Sequence, residues 1–109
     1  KALDETAHIQ LTGASNRPVL ESIRHLASIG RLSEVRLLIM PGYNDDAASI
    51  EKTVSWLKSV DPDMRIVVIG FRNHGVRPGL EYLTEADSEL TGRIGEVVRN
   101  AGFQDVLVV

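Results

Sequence analysis

Arg36 is a charged residue inside the apolar run at positions 35–40. A charge in a buried strand is costly unless it is paired or hydrogen-bonded, and a ligand carboxylate would satisfy it through the two-pronged donor geometry of a guanidinium. Alternatively, Arg36 marks the exposed start of the strand and pairs with Glu34 or Asp46. Arg36 is therefore a candidate ligand-binding residue, and the sequence leaves both interpretations open.

The segment at positions 72–77 brings two arginines and His74 together around a glycine. Such a loop suits an anion or a protein partner, and a histidine can act as an acid or base near neutral pH. The same composition is equally typical of a solvated connection whose charge is balanced by Glu81 and Glu85. No single function follows from this loop.

Oxygen-bearing side chains follow the first apolar run, at Asn44, Asp45 and Asp46. They could bind a metal ion through oxygen, but an N-cap followed by acids that favour the helix dipole is the stronger interpretation. His8 and His25 lack a partner at metal-ligand spacing, and the chain contains no cysteine. We therefore predict no metal ligand and no thiolate nucleophile among these residues.

The composition indicates one domain, since the chain has 109 residues, 43% of them hydrophobic. A net charge of −3 without a basic patch argues against nucleic-acid and membrane-surface roles. There is no apolar stretch of about twenty residues and no signal peptide, so we expect a soluble, cytoplasmic protein. The first residue is Lys1 rather than Met, which suggests a piece of a longer chain.

Short apolar runs alternate with stretches of helical period along the chain. Strands are predicted at 35–40, 66–69 and 106–109, with a strand remnant at 1–3. Stretches of helical period follow Asn16, Asn44 and Thr84, with a further helical segment at 4–8. The apolarity of the strands is continuous rather than alternating, which is typical of a parallel sheet covered on both faces.

Parallel strands joined by helices form right-handed βα units. Three or four strands do not close a barrel, since an eight-stranded one takes about 250 residues. The predicted fold class is therefore α/β, either an open sheet or a partial (β/α) barrel whose remainder is missing. Its sheet edges need a partner, so we expect the isolated chain to self-associate.

The motifs, taken in order, resemble one known family. Lys1 precedes a short helix with a histidine, a Gly-x-Ser-Asn turn, a strand carrying an arginine, and a Pro-Gly-Tyr turn before an acid. These stretches lie at 1–8, 11–16 and 35–45, and the run at 66–72 follows at matching spacing. The set resembles the C-terminal part of the glycyl-radical enzyme activating family, which belongs to the radical S-adenosylmethionine (radical SAM) enzymes.

The resemblance implies that four residues bind S-adenosylmethionine. Lys1 would contact the methionyl carboxylate, and Arg36 would contact the same methionyl end. Leu38, on the same side of the strand as Arg36, would contact the nucleoside. Arg72 takes the position where the family usually carries a histidine near the cofactor, and arginine cannot donate a proton at neutral pH as histidine can. This departure bears on which protein is activated.

The resemblance further implies that residues 1–109 are a single C-terminal portion of a radical SAM partial barrel. The family binds its [4Fe–4S] cluster with three closely spaced cysteines in an N-terminal half, which is absent here along with every cysteine. In the longer parent protein, the reduced cluster and cofactor would yield a 5′-deoxyadenosyl radical, which abstracts hydrogen from a glycine of a partner glycyl-radical enzyme. The fragment would position the cofactor and would be inactive alone.

Two alternatives to a radical SAM enzyme fragment follow from the residues. A complete small α/β module without catalytic activity would pair through its open sheet edge and offer the loop at 72–77 to a protein partner. Another α/β enzyme that binds phosphate is less consistent with the sequence, because no glycine-rich phosphate loop follows a strand.

Overall fold

A computed structural model describes residues 1–76, 78–80 and 82–109, so Arg77 and Glu81 lie outside the described residues. The described elements are, in chain order, α1 (Glu5–Thr12), α2 (Arg17–Ser28), β1 (Glu34–Ile39), α3 (Ala47–Val60), β2 (Arg65–Gly70), α4 (Ser88–Asn100) and β3 (Val106–Val108). No helix in this part of the chain is both long and apolar enough to cross a membrane.

The three strands form one parallel sheet in the order β1-β2-β3. β1 pairs with β2 from Glu34 opposite Arg65 to Ile39 opposite Gly70, and β2 pairs with β3 around Val67 opposite Leu107. The predicted α/β class with a parallel sheet is therefore confirmed, and the described strands form an open sheet rather than a closed barrel. β1 and β3 are the two edges.

One face of the sheet carries the main core. Apolar residues of α3 and α4 pack against alternate residues of the strands, and the buried members include Val35, Ile39, Val54, Leu57, Ile66, Val68, Ile94 and Val98. On the opposite face, Arg36 of β1 and Leu107 of β3 are exposed. The sheet is thus covered by helices on one face only, whereas the continuous apolarity of the strands predicts cover on both.

A second, smaller apolar cluster lies at the carboxyl ends of β1 and β2. Leu11, Met40, Phe71 and Leu83 are buried there, and Leu38 packs against them. Because α1 contributes Leu11 and the segment after β2 contributes Phe71 and Leu83, this cluster joins the start of the chain to the strand ends where ligands bind in α/β folds.

Three of the four described helices begin after a capping aspartate, whereas α2 begins after Asn16 without a side-chain capping bond. Asp4, Asp46 and Asp87 each accept the backbone N–H of the residue three positions on, at 2.9, 3.1 and 2.8 Å respectively. The predicted start after Asn44 is therefore two residues early. The predicted start after Thr84 is also wrong, because Asp87 is itself the N-cap of α4 and Ala86 is buried ahead of the helix.

The predicted strand remnant at positions 1–3 is wrong. These residues form no strand, and side-chain amides rather than a neighbouring strand bind their carbonyls: Asn44 donates to Lys1, and Asn16 donates to Ala2 and Leu3. The side-chain amides thus satisfy the carbonyls that a strand ladder would otherwise satisfy.

Candidate functional site

A cavity of about 420 Å³ lies along the open edge of β1, between that edge, α2 and α3. Its wall is mainly apolar and includes Leu20, Ile23, Leu37, Ile50, Trp56 and Leu57. Polar side chains line it as well, among them Lys1, His8, Asn16, Arg36 and Asn44. We call this cavity the β1 groove.

The amphipathic helix α2 explains why the groove is open. Its apolar residues recur at helical spacing, yet none of them is buried, and Val19 is 48% and Leu26 38% exposed. A helix with such an apolar stripe normally buries it against a neighbouring element. The groove therefore lies where a further element would cover both α2 and the edge of β1.

Three of the four predicted cofactor-binding residues line this groove. Lys1 lies at the start of the chain, while Arg36 and Leu38 lie two residues apart on β1. Lys1 itself is exposed.

Arg36 is not a buried charge. Its side chain is 69% exposed, and its Nε donates a hydrogen bond of 2.6 Å to Oε1 of Glu34, whose other oxygen lies 3.6 Å from Nε of Arg65. Residues two apart on a strand point to the same side, which explains the pairing with Glu34. An exposed pair contributes less than about 1 kcal/mol, so a ligand carboxylate can replace Glu34 as the partner.

Arg72 does not line the β1 groove. Its Nη1 donates to the carbonyl oxygens of Phe71, at 3.1 Å, and Ala86. Gly70 makes room for this turn, because a Cβ there would lie 3.2 Å from Nη1 of Arg72 and 3.0 Å from Cγ2 of Thr91. Arg72 thus ties the end of β2 to the segment that precedes α4.

The remainder of the basic loop is only partly described. His74 is exposed, and the N–H of Asn73 donates to Oε2 of Glu85 at 3.3 Å. The second arginine of the loop, Arg77, and the acid predicted to balance it, Glu81, lie outside the described residues. The carboxylate of Glu85 therefore contacts the backbone of the loop.

The oxygens of the segment 44–46 are used within the protein. Asp45 accepts the N–H of Gly42 at 2.8 Å, and Asp46 caps α3 through Ser49, which lowers the pKa of the Asp46 carboxyl. Among the described residues, no group of three or more histidine, cysteine or acidic side chains is placed to hold a metal ion. The N-cap interpretation of this segment holds for Asp46 rather than for Asn44.

Two asparagines have roles that the sequence analysis did not predict. The amide of Asn44 binds the edge of β1, accepting the N–H of Met40 at 2.8 Å and donating to the carbonyl of Leu38 at 2.7 Å. The amide of Asn16 donates to the carbonyls of Ala2 and Leu3 at 3.1 and 2.7 Å. An asparagine before a helix usually indicates a cap, so the sequence carried no distinct signal for these contacts.

The residues of the groove fit a ligand with a carboxylate at one end and an apolar body. Lys1 and Arg36 supply two cationic donors, and Leu38, on the same face of β1 as Arg36, supplies apolar surface. An iron–sulfur cluster does not fit, because clusters are held by cysteine thiolates and the sequence contains no cysteine.

Solved structures share this fold. A domain of pyruvate-formate lyase-activating enzyme from Bacteroides vulgatus superposes with a TM-score of 0.81 and 18% identity, over 100% of this chain and 63% of that one. A radical SAM methyltransferase from Sphaerobacter thermophilus gives 0.73 and 18%, over 99% of this chain and 31% of that one. The chain therefore shares its α/β fold with these two structures.

Curated proteins are also similar to this chain in sequence. Pyruvate formate-lyase-activating enzyme from Staphylococcus aureus, in strains such as USA300 and N315, is 29% identical over 76 residues, which is 70% of this chain and 30% of the relative. No protein-family model matches. The chain is homologous to part of pyruvate formate-lyase-activating enzyme, as the motifs indicated, and the match spans less than a third of those relatives' length.

Proposed function

We propose that this chain is the C-terminal portion of a radical SAM activating enzyme and that it positions S-adenosylmethionine for glycyl-radical formation on a partner enzyme. The observation that carries the proposal is that Lys1, Arg36 and Leu38 line one groove. The homology to pyruvate formate-lyase-activating enzyme supports it. In the parent protein, S-adenosylmethionine reduced by the iron–sulfur cluster would supply the radical chemistry that removes a hydrogen atom from a glycine of the partner.

The residues of this chain bind and orient the cofactor. Lys1 and Arg36 hold the methionyl carboxylate through charge-assisted hydrogen bonds, for which Arg36 exchanges Glu34 for the ligand. Leu38 provides apolar contact to the nucleoside. Arg72 would make the fourth contact from the end of β2, outside the groove: a guanidinium has five N–H donors, so the bonds from Nη1 to Phe71 and Ala86 leave others for a carboxylate.

The cluster belongs to an N-terminal half of a longer parent protein. A parallel strand preceding Lys1 would pair with the open edge of β1, bury the apolar stripe of α2 and complete a right-handed βαβ unit. The cysteines that hold the [4Fe–4S] cluster lie in that half, so residues 1–109 alone bind no cluster and are inactive. The partial barrel thus consists of this chain and the half that covers its groove.

The test uses the parent protein, reconstituted anaerobically with iron and sulfide. Lys1→Ala and Arg36→Ala each remove one charge-assisted hydrogen bond, so we expect S-adenosylmethionine binding to weaken about 10-fold or more, with less 5′-deoxyadenosine formed. Arg93→Ala, at an exposed position on α4, is the matched control and should bind as the unmodified protein does. A competent preparation that forms neither cluster nor product would refute the proposal.

A non-catalytic interaction module is the second candidate. The open edge of β1 and the unburied stripe of α2 favour it, since both would suit a protein partner without any cofactor. Sedimentation of the isolated chain distinguishes the two. A module forms a discrete oligomer, a fragment with an uncovered groove self-associates without a defined end point, and a compact monomer contradicts the fragment.

A further inference from the structure

The segment at positions 1–3 is held in place by side chains of distant parts of the chain. The carbonyl of Lys1 accepts from Nδ2 of Asn44 at 3.1 Å, and those of Ala2 and Leu3 accept from Nδ2 of Asn16 at 3.1 and 2.7 Å. A segment without regular structure has many accessible conformations, and each such bond reduces them. The backbone that carries the Lys1 side chain is therefore anchored from two directions.

Asn44 imitates a neighbouring strand. In a parallel sheet, a residue donates to the carbonyl of one residue of the adjacent strand and accepts the N–H two residues further on. The amide of Asn44 makes this pair of bonds, to Leu38 and Met40, and uses its second N–H for Lys1. It thereby couples the backbone of Lys1 to the strand that carries Arg36 and Leu38.

Asn16 belongs to a rigid turn. Its own N–H and the hydroxyl of Ser15 both donate to the carboxylate of Glu5 at 2.9 Å, and Nδ1 of His8 bonds the carbonyl of Ala14 at 2.8 Å. Asn16 and His8 are each only 5% exposed. The turn between α1 and α2 therefore presents the amide of Asn16 in one orientation.

We propose that Asn44 and Asn16 are positioning residues, which place the ammonium of Lys1 beside Arg36 so that both meet one ligand carboxylate. This inference rests on the proposed function, in which Lys1 contacts the cofactor. Neither asparagine needs to touch the ligand. Their effect is preorganisation, because a lysine on an unanchored segment would have to be ordered upon binding.

The experiment measures equilibrium binding of S-adenosylmethionine by the reconstituted parent protein. Asn44→Asp keeps an acceptor for Met40 but loses both donations, and Asn44→Leu is neutral and of similar size. We expect both variants to bind about 10-fold more weakly, with unchanged cluster content. Asn100→Asp, at an exposed position ending α4, is the control for the added charge and should leave binding unchanged. Weakening in Asn44→Asp alone would mean a charge effect and would overturn the inference.

A double-mutant cycle with Lys1→Ala separates positioning from a direct contact. If Asn44 acts through Lys1, Asn44→Leu adds little to the loss caused by Lys1→Ala, and the same holds for Asn16→Leu. Additive losses would overturn the inference while leaving the role of Lys1 intact. Unchanged binding in Lys1→Ala would overturn the proposed contact of Lys1 with the cofactor, and this inference with it.

Discussion

At the residue scale, Glu5 connects α1 to the turn that carries Asn16. Hydrogen bonds from the N–H of Asn16 and the hydroxyl of Ser15 lower the pKa of its carboxyl, and those from Ser49 do the same for Asp46. A carboxyl whose pKa is lower in the folded than in the unfolded state stabilises the fold above its ordinary pKa. That stabilisation is lost as the pH falls through the folded-state value.

We therefore expect the stability of the chain to decrease as the pH falls below about 4.5, the ordinary carboxyl range, and on through the lowered pKa values of Glu5 and Asp46. Glu5→Gln and Asp46→Asn together should flatten this decrease, measured as the free energy of unfolding in urea at each pH. Glu51→Gln, at an exposed position of α3, serves as the control and should leave the slope as it is. If the double variant loses stability with falling pH as steeply as the unmodified chain, Glu5 and Asp46 are not the groups responsible.

The candidate site was predictable from the sequence only in part. Lys1, Arg36 and Leu38 line one groove, because a strand places alternate residues on one side and the chain start lies beside it. The bonds of Arg72 to Ala86 depend on a segment distant in sequence, which no local pattern reveals. The same is true of Asn44, whose amide can either cap a helix or bind a strand edge.

At the element scale, the contact between α4 and β3 depends on one glycine. A Cβ at Gly95 would lie 2.5 Å from Cγ2 of Val108, whereas one at Gly92, in the same helix, would meet nothing within 4 Å. The helix therefore lies close to the sheet at Gly95. Alanine is the better helix former at both positions, so the two substitutions differ only in packing.

We predict opposite outcomes for these two glycines. Gly95→Ala should destabilise the chain by about 1–3 kcal/mol, because α4 or β3 must shift. Gly92→Ala should be neutral or stabilise by about 0.5–1 kcal/mol. Thermal and urea unfolding measure both. Equal effects would mean that α4 does not lie on β3 as described.

The elements themselves were largely predictable. Continuous apolar runs located the three strands within one or two residues, and helical periodicity located α2, α3 and α4. The starts of α3 and α4 were missed because several capping residues stand close together, and hydrogen bonding selects one of them: Asp46 rather than Asn44, and Asp87 rather than Thr84. The strand remnant at 1–3 failed because its hydrogen bonds go to side chains.

At the scale of the whole molecule, apolar surface is concentrated in the β1 groove. The stripe on α2 and the open edge of β1 lie together there, and both remain uncovered in a single chain. Apolar surface beside an unpaired strand edge favours association between copies. The groove, rather than the exposed residues scattered elsewhere, should therefore control the behaviour of the isolated chain in solution.

Charges placed inside and outside the groove test this expectation. Val19 lines the groove and is 48% exposed, while Val97 on α4 is 43% exposed. Val19→Lys should weaken self-association about 10-fold in sedimentation velocity, since a charge must then be buried. Val97→Lys should sediment as the unmodified chain does. Equal effects of the two variants would place the contact elsewhere.

The amide of Asn44 also occupies one end of the open edge of β1, where an added strand would pair. The carbonyl of Ile39 accepts the N–H of Phe71, on the side of β2. The backbone groups of Glu34, Arg36 and Leu38 therefore point to the open edge of β1. The amide of Asn44 already donates to the carbonyl of Leu38 there. An incoming strand can therefore run alongside β1 for about five residues, or some 16 Å, before it meets this amide. Asn44 therefore limits the length over which an added strand can pair with β1.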